Sequence, residues 1–317
     1  MRKLMLIILL VVSAGARAQI TGSFTVGGDF DKFYPVQWKD GGWDNRVASQ
    51  LEIGRPSVHE NSQWRGSVMA KFTFHTTRWG NGAQFIDADI MQVHNAINGQ
   101  DLDFIAGWKD ATGNSSSTDL IIWLRGGGTT YYYKSLYPTT CNVYDDVLNP
   151  LPFQEVGGAA LTFKTAKDSY VNSNGLTKSG TAKFLGGGTN YILGNVGIGI
   201  QDTKGYKLAV AGNMIAESVK VQLQSAWPDY VFEKDYQLPS LEQTEKHIQE
   251  KGHLPGIPSA AEVKVEGIEV GDMNAKLLKK IEELTLYLIQ QNKKMSALEK
   301  DNIELKKAVF KSQDKPQ

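Results

Sequence analysis

The chain has 317 residues, and its 34 basic and 34 acidic side chains give a formal net charge of zero. Without a cationic excess there is no electrostatic basis for nucleic-acid binding. With 32 glycines, 10 prolines and 41% hydrophobic residues, the composition is typical of β-rich globular structure and excludes a disordered chain. The single cysteine, Cys141, excludes an internal disulfide framework. Its thiol is either buried and free or joins neighbouring subunits.

Residues 1–18 are predicted to be a secretory signal peptide. Arg2 and Lys3 provide the positive end, residues 4–12 are apolar, and the small residues around Arg17 form a cleavage site after Ala18. The apolar run is too short for a membrane anchor, and no longer one follows. We therefore expect a secreted or cell-surface protein without a transmembrane anchor, whose net charge after cleavage is −3.

Residues 19–180 are predicted to form a β-rich head domain. The run Ser67–His75 alternates apolar and polar side chains, and similar runs occur at 103–108, 119–124, 129–134 and 159–164. Turn clusters of Gly, Asn, Asp and Pro separate them, which favours a β-sandwich or jelly-roll-like domain whose strand order is not readable. Trp64, Trp108 and Trp123 lie inside apolar runs, so we expect them in the core.

Candidate ligand-binding residues of the head are aromatic or acidic. Trp43 and Trp79 lie in glycine-rich turns, and Tyr132 is the middle of three tyrosines that must point alternately. Such rings stack on sugars. Asp87 and Asp89 would share one face of a strand, as a Ca²⁺ site, as the acid/base pair of a glycoside hydrolase, or as solvated side chains only. No catalytic, metal-binding or cofactor motif is found in the sequence, so we predict no enzyme activity, metal or cofactor.

Residues 181–224 are predicted to form a glycine-rich β stem. Between Phe184 and Ile200, glycine alternates with β-branched and aromatic residues. Glycine is useful in a strand where backbones approach closely, for example where strands from several chains wrap one axis. Further short strands are predicted within 206–213 and 217–223.

Residues 225–272 are predicted to form a small α/β segment. Ser240 and Gln243 form a capping-box pattern that opens a helix, and Gly252 ends it. A second pattern of this kind begins at Ser259. The histidines of this segment are too isolated from other ligands to predict a metal site.

Residues 273–311 are predicted to form a C-terminal parallel coiled coil, followed by a disordered tail at 312–317. Spacings of four and three residues alternate without a slip, which makes one narrow seam that a helix cannot bury against itself. We therefore expect the chain to associate with copies of itself. The seam residues are Leu277, Ile281, Leu284, Leu288, Gln291, Met295, Leu298, Asn302, Leu305 and Val309.

The seam alone leaves the number of strands in the coil open. Asn302 at an a position with leucine at the d positions favours a dimer. Leu288 and Gln291 depart from a clean dimer pattern. The polar Gln291 and Asn302 pair best with their own copies and would fix the register.

Five motifs follow one another in the C-terminal part of the chain: NVGIGI at 195–200, YKLAVAG at 206–212, WPDYVF at 227–232, HLPGIPS at 253–259 and LLKKIEELTLY at 277–287. On these motifs, residues 190–310 resemble the C-terminal part of secreted bacterial phage tail-fibre-like proteins, and are similar to the intramolecular chaperone domain of tailspikes and endosialidases. The resemblance implies a homotrimeric fibre whose C-terminal segment guides assembly. The autoproteolytic members of that family carry a Ser-Asp-x-Arg-x-Lys motif, of which only Ser218 and Lys220 are present here, so we expect the chain to stay in one piece.

Together these patterns predict a mainly β chain with a C-terminal α-helical part, working as a trimeric adhesin. Its head would recognise a surface glycan or protein, displayed in several copies so that weak sites add up. A polysaccharide-degrading tailspike and a purely structural component of an envelope or secreted assembly are the alternatives.

Overall fold

The structure is a computed structural model, and it describes residues 19–57, 59–61, 65–79, 84–93, 103–113, 116–222 and 227–313. The chain divides into two compact units between Gly188 and Thr189. β-sheets dominate the first unit, and a long helix ends the second. The prediction of a mainly β chain with a C-terminal helix is therefore confirmed.

The strands of the first unit form two larger antiparallel sheets and a small hairpin. The first sheet has the order β1-β8-β3-β4-β5-β12, the second has the order β6-β7-β2-β9, and β10 pairs with β11. The strands are β1 (Ile20–Val26), β2 (Phe33–Lys39), β3 (Ser49–Arg55), β4 (Ser67–His75), β5 (Phe85–Val93), β6 (Ile105–Asp110), β7 (Asp119–Arg125), β8 (Thr129–Ser135), β9 (Cys141–Val143), β10 (Phe153–Gln154), β11 (Ala160–Leu161) and β12 (Asn174–Thr177).

One core lies between the two larger sheets. Strand β4 shows how alternation builds it, because Val68, Ala70, Phe72 and Phe74 are buried while the residues between them are not. From the second sheet, Trp38 and Leu120 reach the same cluster. Trp108 also belongs to it and meets Phe72 edge to face, with the ring centroids 5.5 Å apart.

The outer face of the second sheet is covered as well. Ile121 and Trp123 of β7 pack there against Phe153 of the β10–β11 hairpin. Strand β7 is thus buried on both faces, which explains its nearly continuous apolar sequence. The expected core positions of Trp108 and Trp123 are confirmed, and Trp64 lies outside the described residues. The hairpin strand that falls in the run 159–164 spans only Ala160–Leu161, so that prediction was too long.

The second unit contains a short parallel strand pair followed by helices. Strands β13 (Val196–Ile198) and β14 (Leu208–Val210) pair in parallel. A 3-10 helix at Pro228–Phe232 precedes α1 (Leu241–Lys251), α2 (Ala260–Glu266) and α3 (Val270–Gln313). Both predicted capping boxes are present, and Gly252 ends α1 in the left-handed conformation.

The glycine-rich segment of the second unit forms fewer strands than its sequence predicts. Residues 217–222 are not in a strand, so the strand predicted at 217–223 is wrong within the described residues. That segment buries no side chain of its own, because Val219 and Val221 both lie exposed. Without a buried face, alternation alone does not stabilise an extended chain as a strand.

The first half of α3 packs against the segment that follows the 3-10 helix. Tyr236 donates a hydrogen bond to Glu283, and Tyr287 donates one to the carbonyl of Pro239. Burial opposes the ionisation of Glu283, but hydrogen bonds from Lys280 and Tyr236 outweigh it and lower its pKa. In the described part of the chain, no helix is both long and apolar enough to cross a membrane.

Candidate functional site

The exposed ring of Trp79 borders a cleft of about 430 Å³ on the head, which we call the Trp79 cleft. A volume of this size fits the usual range for small-ligand sites. Two carboxylates, two hydroxyls and two amides share the wall with apolar side chains. The lining residues are Gln37, Trp79, Ser116, Ser117, Asp119, Phe153, Gln154, Glu155 and Val156.

Strand pairing places the polar wall of the Trp79 cleft. Asp119 opens β7 and is in register with Lys39 at the end of β2. The side-chain amide of Gln37 donates to Asp119 Oδ2 at 2.8 Å. Its carbonyl oxygen accepts from Asn142 at 3.0 Å and from the Tyr144 hydroxyl at 3.1 Å. Gln37 is therefore held on three sides, and this wall is rigid.

Asp119 and Glu155 form an acidic pair in the cleft. Burial raises the pKa of Asp119, and the negative charge of Glu155 raises it further, against hydrogen bonds from Gln37 and Ser117 that favour ionisation. The Ser117 hydroxyl lies 3.4 Å from Glu155 Oε1. It is thus within hydrogen-bond reach of both carboxyl groups and can donate its one proton to either of them. A carboxyl group with a raised pKa beside a second carboxyl group is an arrangement that acid–base chemistry uses.

Two loop contacts hold Trp79 beside these groups. The Arg78 guanidinium donates to the carbonyl of Ser116 at 2.7 Å and lies 4.8 Å from the centre of the Trp43 ring. Trp79 itself has a φ of 59°, which is uncommon for a bulky side chain, and its ring is 65% exposed. Strained backbone of this kind is often found at binding sites. Trp43 is therefore connected to the cleft through Arg78, whose guanidinium lies over the Trp43 ring.

The Trp79 cleft has the chemistry of a saccharide site. An exposed indole face can stack on the apolar face of a sugar ring. Asp119, Glu155 and the Gln37 amide lie beside it, and carboxylates and amides accept or donate hydrogen bonds to sugar hydroxyls. Phe153 forms an apolar floor. The cleft offers an aromatic platform and a polar wall together.

Tyr132 and Asp89 line a different hollow, on the outer face of the first sheet. Tyr132, Gly54, Met69 and Met91 are register partners in one row across β8, β3, β4 and β5. Gly54 has no side chain and leaves open space at the centre of the row. Tyr132 is exposed, as the alternation of its strand predicts, and its hydroxyl donates to Glu60 at 2.6 Å.

Asp87 shares its strand face with Asp89, as predicted, but the two have different surroundings. Asp87 is paired with Lys178 at 2.7 Å and lines a third cleft at the end of β5. Asp89 is in register with Lys71 on β4. The five candidate ligand residues therefore fall in separate places: Trp79 lines the Trp79 cleft, and Trp43 is connected to it only through Arg78.

Asp119, Glu155 and Gln37 are the site residues that sequence reasoning missed. Asp119 was visible only as the first residue of an apolar run, and Glu155 follows a two-residue strand. They meet because β2, β7 and the β10–β11 hairpin come together, which no local pattern shows. A search for carboxylates at strand ends near exposed tryptophans would have found Asp119.

Metal binding and thiol chemistry have little support in the described ranges. No group of three or more His, Cys, Asp or Glu side chains there could hold a metal ion. Cys141 is a free thiol, and burial raises its pKa to about 12. A thiol with so high a pKa is not a nucleophile at neutral pH.

The predicted seam residues lie along one side of α3, and α3 is 44 residues long. Their apolar members, Leu277, Ile281, Leu284, Leu288, Met295, Leu298 and Leu305, are 45% to 64% exposed in the single chain. Gln291 and Asn302 are exposed too. Nothing within this chain covers the seam among the residues described.

Comparison with known proteins identifies no relative. No protein-family description, curated protein or solved structure matches this chain.

Proposed function

We propose that the protein is a secreted, homotrimeric, tail-fibre-like adhesin. Its C-terminal segment drives assembly, and its β-rich head recognises a surface glycan. The observation that carries the assembly is the uncovered seam of α3. The seam runs from Leu277 to Val309, which is roughly 50 Å of helix, and an apolar stripe of that length in water is stabilised by burial against other helices.

The two sheets of the head and the glycine-rich segment support the rest of the proposed architecture. The two sheets around one core form a β-sandwich-like head. The segment after it is a glycine-rich stem, which exposes large apolar side chains such as Phe184, Tyr191 and Ile215. Copies of the same segment, wrapped together, would cover these side chains. The resemblance of residues 190–310 to tail-fibre proteins supports three copies.

Glycan recognition is assigned to the Trp79 cleft. Its single exposed indole and its polar wall suit one or two sugar rings, and such a site binds weakly on its own. Several copies in one assembly raise the effective concentration and increase the overall affinity without new contacts. Secretion and self-association thus support the same role for the cleft.

Glycan-array binding of the full-length mature protein tests the recognition. Trp79→Ala removes the stacking platform and should abolish binding without unfolding the head, since the ring is largely solvent-exposed. Phe85→Ala is the matched control, because Phe85 is 60% exposed on the same unit but lies outside the Trp79 cleft. A blank array with the wild-type protein, or equal losses in the two variants, would contradict the proposal.

Polysaccharide cleavage is the second candidate function, and the acidic pair of the Trp79 cleft favours it. Asp119, with its raised pKa, would act as general acid, and Glu155 as base or nucleophile. The test measures new reducing ends in a polysaccharide that the protein binds. Cleavage that Glu155→Gln abolishes while binding persists would establish an enzyme. Binding without cleavage leaves the adhesin.

A further inference from the structure

A further cleft of about 440 Å³ opens at the edge of the head, between β6 of the second sheet and β12 of the first, and we call it the lysine cleft. It shares no lining residue with the Trp79 cleft, but Gln84, Lys178 and Ser179 also line the third cleft at the end of β5. Three of its lining side chains are lysines, and Asp168 is the carboxylate among the lining residues. The lining residues are Gln84, Trp108, Lys109, Trp123, Lys164, Asp168, Tyr170, Thr177, Lys178 and Ser179.

The segment 164–170 forms one wall of the lysine cleft and is fixed at both ends. Lys164 pairs through its backbone with Phe33 on β2, with both hydrogen bonds at 2.8 Å. At the other end, the hydroxyl of Tyr170 accepts from the N–H of Trp108 at 3.0 Å and donates to the carbonyl of Trp108 at 2.7 Å. The Tyr170 hydroxyl therefore satisfies both backbone groups of Trp108 on the edge strand β6, as a neighbouring strand would. These contacts hold the wall in place without a ligand.

Gly107 allows this wall to lie close to β6. A Cβ at that position would overlap Asp168 Oδ2 and lie 3.0 Å from the Tyr170 hydroxyl. The absence of a side chain on β6 thus brings the Asp168 carboxylate and the Tyr170 ring to the mouth of the lysine cleft. Tyr170 leaves 43% of its surface open there.

The lysines of this cleft are held in place rather than moving freely in solvent. Lys164 forms an ion pair with Asp168, and its ammonium lies 4.2 Å from the centre of the Trp123 ring. Lys178 is paired with Asp87 at 2.7 Å. An ammonium has three N–H donors, so one carboxylate partner leaves donors on each lysine for a ligand. Lys109 adds a third, exposed ammonium at the rim.

The charge of the cleft decides which ligand it fits. The three ammoniums are opposed by two carboxylates, Asp168 and Asp87, so the hollow keeps one positive charge in excess, in a chain whose formal net charge is zero. Concave walls of low dielectric concentrate such a field and attract anions. The hydroxyls of Thr177 and Ser179 and the exposed Tyr170 ring add the contacts that a sugar uses.

From this geometry we propose that the lysine cleft binds an acidic saccharide, that is, a sugar carrying a carboxylate or a sulfate. The anionic group would lie among Lys109, Lys164 and Lys178, and the ring of the sugar against Tyr170. This site is separate from the glycan site proposed in the Trp79 cleft. The proposal holds even if that glycan site or the proposed assembly is wrong.

Titration calorimetry of the mature full-length protein with three polymers tests the proposal. Polygalacturonate carries carboxylates, dextran sulfate carries sulfates, and dextran is neutral. We expect binding to at least one of the acidic polymers, weakened by added salt, and none to dextran at this site. The acidic polymer that binds identifies the anionic group. Equal heats for dextran, or none for both acidic polymers, would overturn the proposal.

Charge-neutralising variants locate the binding. Lys164→Gln and Lys109→Gln should each weaken it about tenfold, the size of one charge-assisted hydrogen bond. Lys134→Gln is the matched control, because Lys134 is an ion-paired lysine of the same unit outside the lysine cleft. Should Lys164→Gln unfold, Lys109→Gln carries the test, because its side chain is exposed. An equal loss in Lys134→Gln would show general charge attraction and refute the site.

The two clefts can fail independently. Trp79→Ala should leave the binding of acidic polymers unchanged, and Lys109→Gln should leave glycan-array signals for neutral sugars unchanged. Loss of acidic binding in Trp79→Ala would place that ligand in the Trp79 cleft and overturn the assignment to the lysine cleft.

Discussion

Leu298→Ala should weaken the assembly while leaving each chain folded. Leu298 lies on the seam of α3 and is 61% exposed in the single chain. Burying a whole leucine side chain contributes about 1.5–3 kcal/mol, so covering this open part contributes about 1–2 kcal/mol per copy. In the proposed trimer, three copies together would contribute about 3–5 kcal/mol, and most of that would be lost in the variant. The dissociation constant should therefore rise by at least about a hundredfold.

Ile303→Ala is the control for that experiment. Ile303 is 54% exposed on the same helix but lies between the seam positions Asn302 and Leu305, off the apolar stripe. Sedimentation equilibrium over a range of concentrations measures the mass of both variants, and circular dichroism checks their helix content. If the two variants dissociate alike, or if the wild-type protein is a monomer, the inference from the seam fails.

Two further predictions concern the head. Gly107→Ala should lower the free energy of unfolding by about 1–3 kcal/mol in urea titrations, because the added Cβ overlaps Asp168. Gly54→Ala is the control and should leave that free energy unchanged, because the nearest atom to its added Cβ is 3.9 Å away. The raised pKa of Asp119 means that the folded head holds this proton more tightly than the unfolded chain, so stability should fall as the pH rises from the ordinary value of 3.8 through the raised pKa. Asp119→Asn should lose less stability over this pH range, because it has no carboxyl group to ionise. Parallel curves of stability against pH for the two proteins would contradict this prediction.

Local patterns predicted a strand that buries one face and the start of a capped helix. The alternation in Ser67–His75 gave β4 with its bounds, and the capping pattern at Ser240 gave the start of α1. Both signals depend on neighbouring residues alone. The prediction failed at 217–222, where alternation occurs without a buried face, because periodicity indicates a strand only if something covers one side of it.

The sites depend on contacts between distant parts of the chain, and for that reason the sequence showed only fragments of them. Trp79 was selected for its glycine-rich turn, but Asp119 and Glu155 join it only through the pairing of β2 with β7 and the position of the hairpin. The lysine cleft was missed entirely. Its key feature, Tyr170 bonded to both backbone groups of Trp108, links residues 62 positions apart.

The two clefts and the seam favour different roles for the two parts of the chain: the head would bind saccharides, and α3 would join the chains. Each cleft has one well-exposed aromatic ring, Trp79 or Tyr170, and one such ring gives a saccharide only a modest affinity. A monomer with these sites would release its ligand quickly. In the proposed assembly, joining the chains through α3 would turn later binding events into intramolecular ones, so that the seam would determine how long the protein stays attached. Disrupting the seam at Leu298 should therefore reduce attachment to a glycan-coated surface far more than binding to a free oligosaccharide.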